Sequence, residues 1–575
     1  MLNDLYTPRG ERLQTPPWQS YPRPQMKRES YVNLNGEWEF AVTQTADAPQ
    51  NYPHKILVPF CPESLLSGLK MEIAPGSYLF YRRKLPPLGE QTGKRVLLHI
   101  GAADQVAEVF VNGIACGGHT GGYNAFFVDI TEAVAEENEL VIRVFDDLRD
   151  TRLPYGKQSL RRGGMWYTPV SGIWQTVWLE VVPEDYIRRV DIQTTLEAAT
   201  VTVTPAMDGT VTCRGKQYPL AAGVAVITPE DPKLWTPENP VLYHFTVETD
   251  TDRLESYFAL RTLSVEDYQG IPRLCLNGQP YFFHGLLDQG YWSDGIYTPA
   301  DPECFAEDIL AMKALGFNTL RKHIKVEPEQ FYYDCDRLGM VVFQDMVNNG
   351  VYSFFRDTAL PTLGIQKLSD QHMHRDEATR QAFLTAMTET VRQLGNHPCI
   401  CYWTIFNEGW GQFCSRDAYR QLKMLDSTRF VDATSGWFRW QESDVDSRHI
   451  YFTPWAALRA GKKPLVLSEF GGYTYAVEDH LFNPEKVYGY KTCKSLENYQ
   501  QAMSELYVMK VLPAVERGLC AAICTQISDV EDEINGMLTY DRRVCKADAE
   551  AMNQIADALR ETFLTSCGLS TDTEP

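Results

Sequence analysis

Residues 281–346 read YFFHGLLDQGYWSDGIYTPADPECFAEDILAMKALGFNTLRKHIKVEPEQFYYDCDRLGMVVFQDM. Three short apolar runs, YFFHGLL (281–287), FNTLRKH (317–323) and VVFQDM (341–346), alternate there with two stretches of helical period. In the first of these, Phe305, Ile309 and Met312 share one face of a 3.6-residue repeat. Asp301 is placed to cap this helix. Pro302 suits its first position, where a missing amide hydrogen costs nothing, and Gly316 suits the left-handed turn that ends it. A second helix is expected near 328–338. Strands that alternate with helices are joined by crossovers and lie parallel in a sheet.

The same rhythm continues downstream. Phe383, Met387, Val391 and Leu394 mark a longer helix. Then come CICYWTIFNE (399–408), a helix near 415–425, RFVDATS (429–435) and HIYF (449–452). PLVLSEF (464–470), a helix near 497–512 and LCAAICTQ (519–526) follow, and a last helix carries Met552, Ile555, Leu559 and Phe563. Eight strand candidates, most followed by a helix, predict a (β/α)8 TIM barrel over 266–575. Upstream the texture is all β. RVLLHI, QVAEVFVNG, LVIRVFD and IWQTVWLEVV are short and rich in β-branched and aromatic residues, and Asn112-Gly113 marks a tight hairpin. We expect an N-terminal jelly-roll β-sandwich over 1–182. A small immunoglobulin-like β-sandwich is expected over 183–265, where five β-like runs are separated by Gly, Pro, Asp and Asn.

The 575 residues are 44% hydrophobic and 22% charged, ordinary globular usage, which excludes a largely disordered chain. A net charge of −21 makes nucleic acid and anionic membrane surfaces poor partners. No apolar run approaches the roughly 18 residues of a membrane span. The opening MLNDLYTPRGERL has no apolar core of a secretory signal. Fourteen cysteines without CxxC or zinc-type spacing fit a reducing cytoplasm, so no metal or other cofactor is expected. A homo-oligomer is compatible with all of this.

A TIM barrel does its chemistry at the C-terminal ends of its strands. The polar residues there are Asp288 and Gln289, Arg321 and His323, Asp345, Asn407 and Glu408, Tyr451, Glu469, and Gln526 and Asp529. Glu408 and Glu469 each follow an apolar run and open into the same mouth. Such a pair suits glycoside hydrolysis, in which one carboxyl must protonate the leaving oxygen while the other stays ionised. A glutamate at a strand end also serves as a structural ion-pair partner or a metal ligand, and spacing alone leaves these readings open.

YVNLNGEWEF (31–40), LWTPENPVLY (234–243), LNGQPYFFHG (276–285), GNHPCICYWTIFNEGW (395–410) and PLVLSEFGG (464–472) together resemble glycoside hydrolase family 2. That family includes β-galactosidases, β-glucuronidases and β-mannosidases. The resemblance spans nearly the whole chain. It implies that Glu408 is the general acid/base and Glu469 the nucleophile of a retaining mechanism. It implies that Asn407 contacts the sugar 2-hydroxyl, that Arg321 supports the nucleophile and that His323 contacts sugar hydroxyls. Tyr451 is the best match to the tyrosine that bonds the nucleophile. Trp437 and Trp440 are candidate sugar platforms, and Asp288 and Gln526 are further candidate substrate contacts.

Two departures bear on specificity. Where family members often carry a tryptophan after the eighth strand, this chain has Thr525 and Gln526. The Asn-x-Lys pair with which β-glucuronidases bind the sugar carboxylate has no counterpart in Asp532 to Gly536. Asp532 and Glu533 there are expected to disfavour a uronic acid. The expectation is therefore an exo-acting retaining β-glycosidase acting on a carbohydrate or glycoside, β-galactosidase-like by default. A β-glucuronidase, a β-galacturonidase and a transglycosidase are the alternatives, and a catalytically silent carbohydrate-binding protein is the non-enzyme rival.

Overall fold

The computed structural model describes residues 2–89, 91–362, 365, 369–438, 442–451, 455 and 458–570. In the first part of the chain a six-stranded antiparallel sheet faces a four-stranded one. Along Glu139–Asp146 every second residue is buried and those between are wholly or partly exposed, as a half-buried strand requires. Trp38, Phe40, Leu79, Tyr81, Val109 and Ile142 of the larger sheet meet Val96, Leu98 and Leu179 of the smaller in one apolar core. Asn112 and Gly113, at φ +53° and +80°, turn Val106–Val111 into Ile114–Thr120. Positive φ at both central residues is the hairpin geometry that Asn-Gly favours.

The next segment forms a three-stranded and a four-stranded antiparallel sheet. They share a core of Val190, Val201, Val211, Phe245, Val247 and Leu254. Two of its strands, Lys216–Leu220 and Arg253–Phe258, were not among the five runs read from the sequence. Each is interrupted by polar or proline residues that blur the alternation.

Eight parallel strands then form the barrel: Phe283–Asp288, Thr319–Lys322, Val341–Asp345, Ile400–Asn407, Phe430–Ser435, Asp446–Ile450, Leu465–Gly471 and Leu519–Thr525. The hydrogen-bonded ladder joins every sequential pair except the fifth and sixth strands, which lie side by side at the seam, and it joins the eighth to the first and seventh. Seven of the eight are buried along their whole length, which explains their near-continuous apolar runs. The first helix runs Glu303–Ala314, one residue later than Pro302 suggested. Asp301 Oδ1 accepts the Glu303 amide hydrogen at 2.8 Å, and Gly316 ends the turn at φ +80°. The sixth strand starts earlier than HIYF and ends at Ile450, so Tyr451 lies just beyond it; the register shifts between Arg448 and His449.

Buried polar groups tie the parts together. Arg28 donates to Glu180 at 3.1 Å and to Asp252 at 2.8 Å, bridging the two sandwiches. Arg261 donates to the carbonyls of Pro398 and Ile400 at the base of the fourth barrel strand. A long loop of the first part, residues 147–171, reaches the barrel mouth, where Tyr155 donates to the Gly350 carbonyl at 2.8 Å. Among the described residues no helix is long and apolar enough to cross a membrane.

Candidate active site

The chain leaves the fourth barrel strand through a turn that fixes Glu408. Glu408 itself takes φ +52°, and its amide donates to the Ser435 carbonyl at 2.9 Å. Gly409 follows at φ +75°; a Cβ there would stand 2.5 Å from the Phe438 ring. Only glycine lets the backbone turn this tightly against that ring. Glu469 lies within the seventh strand and is 5% exposed. One oxygen of each carboxylate and a ring nitrogen of His449 all lie within 4.8 Å of one another.

Glu469 is held on both oxygens. Oε1 accepts from Arg321 Nη1 at 3.0 Å, and Oε2 accepts from the Tyr451 hydroxyl at 2.8 Å. Burial pushes its carboxyl up, but His449, whose ring faces it, and the Arg321 guanidinium, with His323 and Lys157 further out, outweigh this and hold it well below the usual carboxylate range. Arg321 is fully buried and braces more than Glu469. It donates to Asp345 at 2.9 and 3.2 Å, to the Ser468 carbonyl at 3.0 Å and to Asn407 Oδ1 at 2.9 Å. Asp345 in turn meets His323 Nδ1 at 2.8 Å, and burial lowers the His323 pKa, which favours the neutral ring. Tyr451 also meets Thr525 at 2.9 Å and stacks on Tyr490 at 4.3 Å. Burial pushes its hydroxyl pKa far up, so it stays a donor.

His449 was not singled out from the sequence. Its Nδ1 is 2.7 Å from Glu408 Oε1 and 3.5 Å from Glu469 Oε2. Its Nε2 is 2.9 Å from Ser435 Oγ and 3.4 Å from Arg321 Nη1. A guanidinium can only donate, so this network assigns Nε2 as the acceptor and Nδ1–H as the donor to Glu408. A signal was available. Residues two apart in extended chain point the same way, and His449 stands two before Tyr451.

The other candidates fall differently. Trp437 lies beside His449 at 5.8 Å between ring centroids, and its indole N–H has no partner among the described residues. Trp440 lies outside the described residues. Asp288 is committed to Lys322 at 2.6 Å and to the Gly290 amide at 2.8 Å rather than open to a ligand. Gln526 is fully buried and donates to Asn535 at 2.7 Å.

The acidic segment after the eighth strand also differs from its sequence reading. Loop 147–171 covers it. Arg162 meets Asp532 at 2.9 Å and Glu531 at 3.3 Å, the Thr168 amide donates to Glu531 at 2.8 Å, and the Tyr167 hydroxyl donates to Glu533. Asp532 and Glu533 are thus paired rather than presented as bare charge. Among the described residues Glu408, His449 and Glu469 are the group of donors close enough together to ligate a metal ion. The Arg321 guanidinium on Glu469 opposes a second cation there, and the hydrogen bonds already made suit a carboxylate pair better.

Residues 271–557 match the family model described as glycosyl hydrolases family 2, TIM barrel domain, and residues 178–261 match a further model of glycosyl hydrolases family 2. The chain belongs to glycosyl hydrolase family 2. Similar proteins include a β-galactosidase of Thermoanaerobacter pseudethanolicus, 24% identical over 60% of this chain and 46% of its own. A β-glucuronidase of Bacteroides fragilis is 24% identical over 66% of this chain and 56% of its own. The chain thus spans about half the length of these curated relatives. Among solved structures, a β-D-glucuronidase of Dictyoglomus thermophilum superposes with a TM-score of 0.72 at 18% identity, covering 94% of this chain and 98% of that one. A β-galacturonidase of Eisenbergiella tayi bound to galacturonate does so with a TM-score of 0.67 at 19% identity, covering 94% and 99%. At that identity the likeness shows the shared fold.

Proposed function

We propose that this family 2 chain is an exo-acting retaining β-glycosidase, with Glu469 as nucleophile and Glu408 as acid/base. The observation that carries the reading is the carboxylate pair at the ends of the fourth and seventh barrel strands, whose oxygens approach within 4.8 Å. Retaining enzymes hold their carboxyl groups about 5–5.5 Å apart, and inverting enzymes need roughly 6.5–9.5 Å to admit a water. Glu469 is kept ionised by Arg321 and aimed by Tyr451. It attacks the anomeric carbon while Glu408, carrying a proton, gives it to the leaving oxygen. A glycosyl ester forms on Glu469. Glu408, now ionised and held by His449, takes a proton from water, which attacks the ester and releases the sugar with its configuration kept. Asn407 gives its Oδ1 to Arg321, which leaves its Nδ2 donor for the sugar 2-hydroxyl.

The relatives' names point to a β-linked galactose or uronic acid as the released sugar. Fourteen free thiols support a reducing, cytoplasmic setting. The test is a pair of variants. Glu469→Ala and Glu408→Ala should each fold and lose nearly all turnover. Azide should rescue Glu469→Ala with an inverted product, and Glu408→Ala with a retained one on substrates with good leaving groups. Wild-type turnover in either variant would overturn the assignment.

A further inference from the structure

Among the described residues four lysines are almost fully buried: Lys157, Lys322, Lys325 and Lys546. Three of them are fully partnered. Lys322 meets Asp288 at 2.6 Å and Glu327 at 2.9 Å. Lys325 meets Glu327 at 2.9 Å and the carbonyls of Gly290 and Tyr297. Lys546 meets Asp529 at 2.6 Å and the Ile534 carbonyl at 3.0 Å. Lys157, 9% exposed, forms no ion pair or side-chain hydrogen bond among the described residues; its ammonium lies 5.7 Å from the centre of the Trp166 ring. Most of the Lys157 side chain is covered while its ammonium is not enclosed, so an unpaired cation is held open to an anionic group that arrives from solution.

The position of Lys157 says where that partner binds. Its carbonyl accepts the Tyr167 amide hydrogen at 3.0 Å, and Tyr167 reaches Glu533 beyond the eighth strand. On its other side Gly156 packs so closely on the second strand's exit that a Cβ would stand 3.0 Å from the Ile324 carbonyl, next to His323. Lys157 is therefore clamped between the exits of the second and eighth strands. Its charge reaches Glu469, His323 and Glu533, which agrees with the place that these two contacts give it at the barrel mouth. The neighbouring acids do not cancel it. Arg162 takes Asp532 and Glu531, Glu533 is held by the Tyr167 hydroxyl and by Asn535 at 2.9 Å, and burial pushes the Glu533 carboxyl up toward its neutral form.

We propose that Lys157, delivered by loop 147–171 of the N-terminal sandwich, binds a carboxylate on the sugar, which makes a β-linked uronic acid the substrate class of this site. The inference rests on the glycosidase reading above and deepens it. A cation brought in by the first sandwich does the work expected of a barrel lysine.

The experiment compares kcat/KM of the wild type, Lys157→Met and Lys157→Arg on p-nitrophenyl β-glucuronide, β-galacturonide, β-glucoside, β-galactoside and β-galactoside 6-sulfate. The wild type should favour one uronide over its matching hexoside by at least tenfold. Lys157→Met should shrink that ratio by about 10–100-fold, the scale of one charge-assisted hydrogen bond, and Lys157→Arg should keep most of it. A wild type that favours the neutral hexoside, or prefers the sulfate, overturns the proposal while leaving the glycosidase reading intact. So does a Lys157→Met variant that loses activity equally on both members of a pair. Hydrolysis of none of the five overturns both. Should Lys157→Met not fold, the wild-type ratio and the inhibition constants of free glucuronate and galacturonate against glucose and galactose still decide the question.

Discussion

Arg321→Met removes the guanidinium and keeps a side chain of similar length. The native arginine holds Glu469 at 3.0 Å, Asp345 at 2.9 Å and Asn407 at 2.9 Å, all away from water. Glu469 is pulled below its ordinary value only because positive charge outweighs its burial. Loss of one opposite charge at this range raises a carboxyl pKa by about 1–3 units, and each unit is about 1.4 kcal/mol. As the proposed nucleophile, Glu469 must be ionised to attack, so the acid limb of kcat/KM marks the pH at which it takes up a proton. In the wild type that limb should lie at low pH. In Arg321→Met it should move up by about 1–3 units, with turnover at neutral pH reduced as well because Asn407 and Asp345 lose their brace. The variant should also be less stable by about 3–5 kcal/mol, the cost of breaking a buried ion pair from one side. A full pH profile of kcat/KM from pH 3 to 9, normalised to folded enzyme, is the assay. An acid limb at the wild-type position in a folded Arg321→Met would refute the electrostatic account of Glu469.

His449→Phe keeps the ring volume and removes the contact to Glu408. It should cost about 10–100-fold in kcat on a phenyl glycoside and much less on a 2,4-dinitrophenyl glycoside, because only the poor leaving group needs a well-placed acid. Equal losses on both would assign His449 a merely structural role. Glu180→Gln should destabilise the chain by about 3–5 kcal/mol, read by chemical denaturation, since Arg28 and Arg23 would lose a fully buried carboxylate. Burial raises the Glu180 pKa, but Arg23, His99 and Arg28 outweigh it and hold it far below 4.5. The stability it contributes is therefore complete above the ordinary carboxylate range and is lost as the pH falls below it.

Much of the architecture was legible because local pattern and tertiary role coincide. Seven of the barrel strands are buried along their whole length and read as apolar runs; one catalytic candidate directly follows the fourth strand and the other lies near the end of the seventh. Arg321 and Asn407 were legible for the same reason, and the structure adds that one guanidinium joins them. What stayed hidden depends on distant parts of the chain. Asp288 and Gln526 stand at strand exits like the others, yet local partners claim them: Lys322 pairs with Asp288, and Asn535 bonds Gln526. His449 is an ordinary letter in a short strand until Glu408 is folded beside it. Asp532 and Glu533 read as bare negative charge until loop 147–171, more than 350 residues away at Tyr167 and Arg162, is laid over them. Lys157 belongs to that loop, in a segment whose texture speaks only of a β-sandwich. No local signal in the sequence links it to the barrel.

The most direct test of the central claim is a trapped intermediate. The glycoside that turns over fastest in the panel would be made as its 2-deoxy-2-fluoro analogue with a good leaving group. The inactivated enzyme would then be digested and mapped by mass spectrometry. The account predicts one fluoroglycosyl unit per chain, carried as an ester on Glu469, with no label in Glu469→Ala. A label on another residue, or an unlabelled enzyme that releases the inverted sugar from the parent glycoside, would contradict it.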